Sequence, residues 1–324
     1  MLTRRSALAT AACVPLLAAQ ARAAGTESFP AFLAGVRRDA RRLGISEATL
    51  DQAFAGIKVN QRVIELDRHQ PEFTLTWAQY RARIVSDARI AKGRAQFAKH
   101  RALLERVADQ YGVPAGIVLG IWGLESDYGA ATGGFNVIEA LATLSWEGRR
   151  AAFFRSELMD ALRILQSGDI TAAQMTGSYA GAMGQTQFMP DSFLKYAVDY
   201  SGTGRRDIWN DFGCVFASTA NYLAREGWQR GIPWGELVRL PAGFDATQAG
   251  REHRRPLKEW IDRGVAPVGD RAVPLATQAA VILPDGQGGE AFFAYHPNFQ
   301  AIRRYNPSDF YCISVGLLGD RVTA

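Results

Sequence analysis

The sequence predicts an α+β protein that is mainly α-helical, with a small β-rich insertion toward its C-terminal end. Three observations carry that expectation. Apolar residues recur at helical spacing through much of the chain up to residue 231. A stretch rich in Pro and Gly, with short alternating apolar runs, occupies residues 232–296, and helical spacing returns from Phe299 to Leu318. The 324 residues are 48% hydrophobic and 21% charged, which excludes long disorder and collagen-like repeats. No apolar run approaches the roughly 18 residues that a membrane span needs.

Residues 1–23 read as an export signal. Arg4-Arg5 precede an Ala/Leu-rich stretch from Ala7 to Ala19, and Ala21-Arg22-Ala23 fits a cleavage site. Thr3-Arg4-Arg5-Ser6-Ala7-Leu8 is close to a twin-arginine signal, although Ala7 stands where Phe is usual, so both export routes stay open. Thr10-Ala11-Ala12 before Cys13 is a poor lipobox, so the expected state is periplasmic without a lipid anchor. Without the leader's Arg4, Arg5 and Arg22 the formal charge drops from +5 to +2, too mild to argue for nucleic acid.

Residues 24–100 form a basic, helical N-terminal region. Arg37, Arg38, Arg41 and Arg42 lie on its first helix, Ser46 is placed to cap the next, and Pro71 interrupts before a third. That third segment, with Trp77, Tyr80, Ile84 and Val85, is read as continuing toward Phe97 and Leu103. Residues 101–231 form the core. Residues 232–296 form the insertion, where Ala279, Val281 and Leu283 and then Ala291, Phe293 and Tyr295 alternate like strands about a hairpin at 285–289. Residues 297–324 are helical and expected to complete the core. Cys214 and Cys312 follow the leader, and two buried thiols are the preferred reading over a disulfide. His69, His100, His253 and His296 lack metal-ligand spacing, so neither metal nor cofactor is expected.

The most informative stretch runs from Val113 to Gly129. Pro114 is a natural first helical residue. Glu125 falls four residues after Ile121 and seven after Val118, on a face that should point into the core. Gly129 soon ends the helix, so Glu125 lies in its last turns, where the negative end of the helix dipole disfavours an anion. Burial and dipole both favour a protonated carboxyl near neutral pH, the state of a general acid. A buried Glu held by an Arg or a hydroxyl is the plainer alternative. Asp127, about 200° around the helix from Glu125, is expected to make a structural hydrogen bond instead.

Two further stretches carry polar and aromatic groups at unusual density. Gly177-Ser178-Tyr179-Ala180-Gly181-Ala182-Met183-Gly184-Gln185-Thr186-Gln187-Phe188-Met189-Pro190 places three glycines in eight residues, a sign of backbone that approaches something closely. A polar ligand and a tight turn are both open. Arg304-Tyr305-Asn306-Pro307-Ser308-Asp309-Phe310-Tyr311 offers rings and an amide suited to sugars, in what is otherwise an ordinary aromatic helix start.

Taken together, Gly123-Leu124-Glu125, the glycine-rich run, Asn221-Tyr222 and the Arg304–Tyr311 stretch resemble the membrane-bound lytic murein transglycosylase B family of bacterial cell-wall enzymes (glycoside hydrolase family 103). The resemblance covers Trp77 to Leu318 and implies a lysozyme-like core. It implies cleavage of the β-1,4 bond between N-acetylmuramic acid and N-acetylglucosamine in peptidoglycan, leaving a 1,6-anhydromuramyl end. By position, Glu125 would be the single acid/base, Ser178 would hold the muramyl N-acetyl group and Gln187 would bond the sugar. Tyr80, Tyr222, Tyr305 and Tyr311 would line the groove, with Asn306 beside them. Arg149 and Arg150 would meet peptide or lactyl carboxylates, and Tyr305 would steady the oxocarbenium-like transition state.

The chain departs from that pattern in two places. At 199–213, where some relatives carry a calcium loop, Thr203 replaces an acidic ligand and Arg205-Arg206 add positive charge, so no tightly held ion is expected. Gln185 replaces an aromatic of the glycine-rich run and is expected to alter subsite contacts. The chain ends soon after Leu318, so no appended wall-binding domain is expected. Two rivals remain: a hydrolytic muramidase of lysozyme type, and a catalytically silent peptidoglycan-binding protein.

Overall fold

The computed structural model describes residues 27–69 and 75–324. The leader, Cys13 and Pro71 lie outside the described residues. Helices α1 (Phe29–Arg42), α2 (Glu47–Ala53), α3 (Gln61–Arg68) and α4 (Trp77–Ile84) form the N-terminal region. Each starts behind a polar cap, Ser28, Ser46, Asn60 and Thr76, whose side-chain oxygen accepts a backbone N–H of the first turn. The segment expected to run on from Trp77 is broken: Val85 leaves helical geometry and Ser86 caps a new helix, α5 (Asp87–Tyr111). A local hydroxyl cap outcompetes the apolar periodicity there.

The core follows as α6 (Ala115–Ser126), β1 (Phe135–Asn136), α7 (Val137–Glu147), α8 (Ala151–Gln166), β2 (Thr176–Gly177), α9 (Pro190–Tyr196) and α10 (Phe212–Arg225). Pro114 is the cap of α6 rather than its first residue, with an extended ψ of 140°. The helix is buried along its length from Gly116 to Gly123, as its lack of charge before Glu125 demands. Trp122 fills the centre, with Tyr128, Phe212 and Phe216 edge-on around it.

The insertion comprises β3 (Gly235–Arg239), β4 (Arg255–Pro256), α11 (Leu257–Asp262), β5 (Ala266–Pro267), β6 (Gln278–Ile282) and β7 (Ala291–Tyr295). Its antiparallel sheet has the order β4-β6-β7-β3-β5. The β6–β7 hairpin pairs Ala279 with Tyr295 and Ile282 with Phe292. Strand alternation sorts the two faces: Ala280, Ile282, Phe292 and Ala294 join the main core, while Ala279, Val281, Phe293 and Tyr295 pack with Val238 and Trp260 in a smaller one. The hairpin loop reaches back to α4, where Asp285 accepts from Trp77 N (2.6 Å) and Glu290 accepts from Trp77 Nε1 (2.7 Å).

The chain closes with α12 (Asn298–Tyr305) and α13 (Asp309–Thr323). Helix α13 lies directly on α6, and glycines set the approach. A Cβ on Gly116 would stand 2.7 Å from the carbonyl oxygen of Gly319, and one on Gly120 would overlap the carbonyl of Val315. Backbone-to-backbone packing therefore fixes the ends of α6 and α13 relative to each other. Cys214 and Cys312 are free, buried thiols.

Candidate active site

Glu125 sits in the last turn of α6, partly buried, and its Oε1 accepts the Tyr311 hydroxyl at 2.6 Å. Burial pushes its carboxyl up to about 7, against the pull of the Tyr311 hydrogen bond, which favours the anion. The hydroxyl partner of the plainer alternative is therefore present, and it serves a carboxyl poised to give up a proton. The chain turns sharply after Glu125. Asp127 and Tyr128 hold φ of 48° and 56°, and with Gln187 at 52° they are the non-glycine residues of positive φ among those described. All three flank this cluster, as backbone strain at functional sites commonly does. Asp127 is turned to α5, 2.7 Å from Lys92 Nζ, in the structural role expected of it.

Three more tyrosines stand with the acid. Tyr305 Oη donates to the carbonyl of Thr186 (2.6 Å), and its ring centroid is 4.7 Å from that of Tyr222. Tyr222 is buried, donating its hydroxyl to the Arg304 carbonyl at 2.5 Å. Tyr80, from α4, packs on Phe310 at 5.5 Å. Burial raises the phenols of Tyr80, Tyr305 and Tyr311, and the nearby Glu125 charge adds to the effect, so all three stay protonated donors.

The glycine-rich run forms a tight loop beside this cluster. Gly177 pairs with Phe135, and a Cβ there would collide with the Ala182 carbonyl, so the close approach inferred from its glycines is made by the chain to itself. Ser178 Oγ accepts from Ala182 N (3.0 Å), which leaves the hydroxyl proton to donate. Gln187 Nε2 donates to the carbonyls of Thr132 (3.0 Å) and Gly184 (2.9 Å), so its amide oxygen is the group left to accept a hydrogen bond. Asn306 Oδ1 accepts from Ser308 N at 3.2 Å between α12 and α13, leaving its amide protons.

Gln185 corrects an expectation. Its amide is buried, accepting from Trp122 Nε1 (2.9 Å) and donating to the Trp209 carbonyl (2.8 Å). It braces α6 against the loop before α10 and faces no groove. Gln185→Leu strands both partners in the interior, so we expect a loss of about 2–3 kcal/mol in stability. Thermal denaturation checks this; an unchanged midpoint would mean that another group or a water takes over both bonds.

Arg149 and Arg150 lie at the start of α8, apart from the tyrosines. Arg149 Nε donates to buried Asp67 at 2.7 Å, and Tyr179, next to Ser178, is within electrostatic reach of it. The Arg150 guanidinium lies 4.7 Å from the rings of Phe153 and Phe154. Phe188 and Phe310, the ring neighbours of Tyr305 and Tyr80, were not singled out in the sequence, although both stand inside the informative stretches.

The acidic residues of the 199–213 loop serve the loop itself. Asp199 accepts from Thr203 N (3.0 Å) and Gly204 N (2.7 Å), Asp207 from Trp209 N and Asn210 N (both 2.9 Å), and Asp211 caps α10. No cluster of three or more His, Cys, Asp or Glu among the described residues could hold a metal. With its acidic groups bonded to backbone, this donor set does not fit a calcium ion.

A carboxyl of raised pKa at a helix end, under tyrosines and beside a polar loop, sits in a mainly helical, lysozyme-like fold of the kind that acts on glycosidic bonds. Residues 28–320 match the transglycosylase SLT domain. The chain belongs to the membrane-bound lytic murein transglycosylase B family. It is 33% identical over 254 residues to the Escherichia coli (strain K12) protein membrane-bound lytic murein transglycosylase B, covering 76% of this chain and 67% of that one. The structure of SltB3 from Pseudomonas aeruginosa in complex with NAG-anhNAM-pentapeptide superimposes with a TM-score of 0.89. That pair is 46% identical over 92% of this chain and 80% of the other. The Escherichia coli lytic transglycosylase Slt35 in complex with calcium has a TM-score of 0.76 and 29% identity, over 90% of this chain and 92% of its own.

Proposed function

We propose that Glu125 is the single acid/base of this peptidoglycan lytic transglycosylase, which cleaves the bond between N-acetylmuramic acid and N-acetylglucosamine and leaves 1,6-anhydromuramyl ends. One observation carries the reading: Glu125 lies at the buried end of α6 with Tyr311 as its hydrogen-bond partner among the described residues, and burial, with no second charge contributing, pushes its carboxyl up to about 7. A retaining glycosidase needs a second carboxylate as nucleophile, about 5–5.5 Å away, and an inverting one needs it to activate water. Here the substrate's own N-acetyl oxygen and C6 hydroxyl stand in for the second carboxylate and the water, and Glu125 serves as acid and then as base.

The geometry supports the following sequence of events. Tyr311 donates to Oε1, which leaves Oε2 to carry the proton. Glu125 passes that proton to the glycosidic oxygen as the bond to C1 breaks, and the substrate's own N-acetyl oxygen stabilises C1. The Glu125 carboxylate, now steadied by Tyr311, then takes the proton from the C6 hydroxyl as that oxygen closes on C1. No water is consumed, and the intramolecular nucleophile needs only orientation. Ser178 holds the N-acetyl group, Gln187 accepts from a sugar hydroxyl, and Tyr305, backed by Tyr222, faces the developing positive charge. Tyr80 and Asn306 complete the groove, and Arg150, with the part of Arg149 not held by Asp67, meets stem carboxylates.

Read from the sequence alone, residues 1–23 are an export leader, and the periplasm, next to the polymer, is the site of action we propose. No helix among the described residues is long and apolar enough to cross a membrane. Mass spectrometry of muropeptides released from purified sacculi tests the reaction. The expected products are lighter by one water than hydrolysed ones. Hydrated ends would make the protein a muramidase, and binding without release would make it a silent binder.

A further inference from the structure

Beside the catalytic cluster lies a second concavity, of about 430 Å³. Phe299 with Ala280 and Ala294 of the sheet gives it an apolar floor, and Arg251, Arg254 and Arg304 line it with positive charge. Two elements tie it to the cleft. Helix α12 carries Phe299 and Arg304 in the pocket and ends on Tyr305, six residues beyond Phe299, about 9 Å of helix rise. Arg251 Nε bonds Asp309 (3.1 Å), the first residue of α13, two positions before Tyr311.

The charges do not cancel. Glu252 is the one acidic group in the lining; it folds over Gly250 and lies 3.5 Å from His253 Nε2. Arg304 stands 3.7 Å from Glu226, which also takes the Tyr196 hydroxyl, and Arg251 shares Asp309 with Arg303. Arg254 is exposed and has no carboxylate within ion-pair distance among the described residues. His296, also in the lining, is held toward its neutral form by burial and by Arg254, so it offers a hydrogen bond without charge. The result is an unneutralised guanidinium over an apolar floor, a setting for a peptide that carries both carboxylates and small apolar side chains.

We propose that this pocket takes the peptide stem of the muramyl unit bound in the cleft, with Arg254 binding a stem carboxylate and the Phe299 floor receiving alanine methyls. The inference rests on the transglycosylase reading above and adds a second peptide contact, separate from Arg149 and Arg150. Reach is sufficient: an extended stem of five residues spans up to about 17 Å, well beyond the 9 Å step along α12. The pocket makes the enzyme prefer strands that still bear their stems.

The test compares Arg254→Ala and Arg254→Glu with the wild type on two substrates: stem-bearing glycan strands, and the same strands stripped of peptide by an amidase. We expect the ratio of kcat/KM on stem-bearing to stripped strands to fall about tenfold for Ala, mainly through KM, and further for Glu. Arg254 is exposed and has no ion-pair partner among the described residues, so melting curves should coincide. An unchanged ratio, whether both substrates suffer equally or neither does, would overturn the pocket and leave the activity standing. A wild type that releases no anhydro ends from either substrate would overturn the activity, and the pocket with it.

Discussion

Glu125→Gln should lower release of anhydromuropeptides by about a thousandfold, within the range that general acid–base groups contribute. The amide has the same shape and can still accept the Tyr311 hydroxyl, so glycan binding stays, but it carries no transferable proton. Sedimentation of the variant with sacculi separates the two effects. The wild-type pH profile has the same origin. With the carboxyl at about 7, the acid form is lost as pH rises past that value, and kcat/KM should decline toward tenfold per unit above it.

Stability supplies an independent check on that carboxyl. Its folded pKa lies above the unfolded one, so the folded chain holds the proton more tightly. The contribution is fully present below about pH 4.5, is lost progressively up to about 7, and reaches roughly 3 kcal/mol of destabilisation above that. Glu125→Gln removes the penalty. The variant should therefore melt above the wild type at pH 8 and alongside it at pH 4. A difference that does not change between the two would place the carboxyl in ordinary solvent and sink its role as a poised acid.

Gly120→Ala is the second large effect. The added methyl meets the Val315 carbonyl, a backbone atom that cannot swing aside, so α13 must retreat from α6. Overpacking of this kind costs about 1–3 kcal/mol. The retreat also moves Tyr311 from Glu125, and a misplacement near 1 Å can cost about a hundredfold in turnover. We expect a lower melting temperature together with a kcat loss that persists well below the melt. A variant that melts early but turns over at the wild-type rate would show that the helix contact serves stability alone.

The buried carboxyl was legible because a helix repeats every few residues: Ile121 and Val118 mark the face of Glu125 without knowledge of any other part of the chain. Caps at Ser46 and the turn at 285–289 were legible for the same local reason. The resemblance added the tyrosines by position, but the bonds they make were hidden. Tyr311 and Glu125 are 186 residues apart, Tyr305 and Thr186 are 119 apart, and the polar atoms of each could have paired elsewhere. Gln185 is the clearest case. Standing where relatives carry an aromatic, it was expected to alter subsite contacts, and burial against Trp122, 63 residues away, made it a brace.

The sequence by itself determined most of the helical and strand segments, which helix carries Glu125 on its apolar face, and which polymer its groups suit, since propensity, caps, periodicity and motif are written within short windows. Tertiary structure decided which hydroxyl meets Glu125, how much water leaves its carboxyl, and that Arg149 belongs to Asp67 while Arg254 has no carboxylate within ion-pair distance among the described residues. Those outcomes depend on which surfaces exclude water together. That is settled when α13 closes on α6 and the insertion packs against the core, and no short window of the chain contains it.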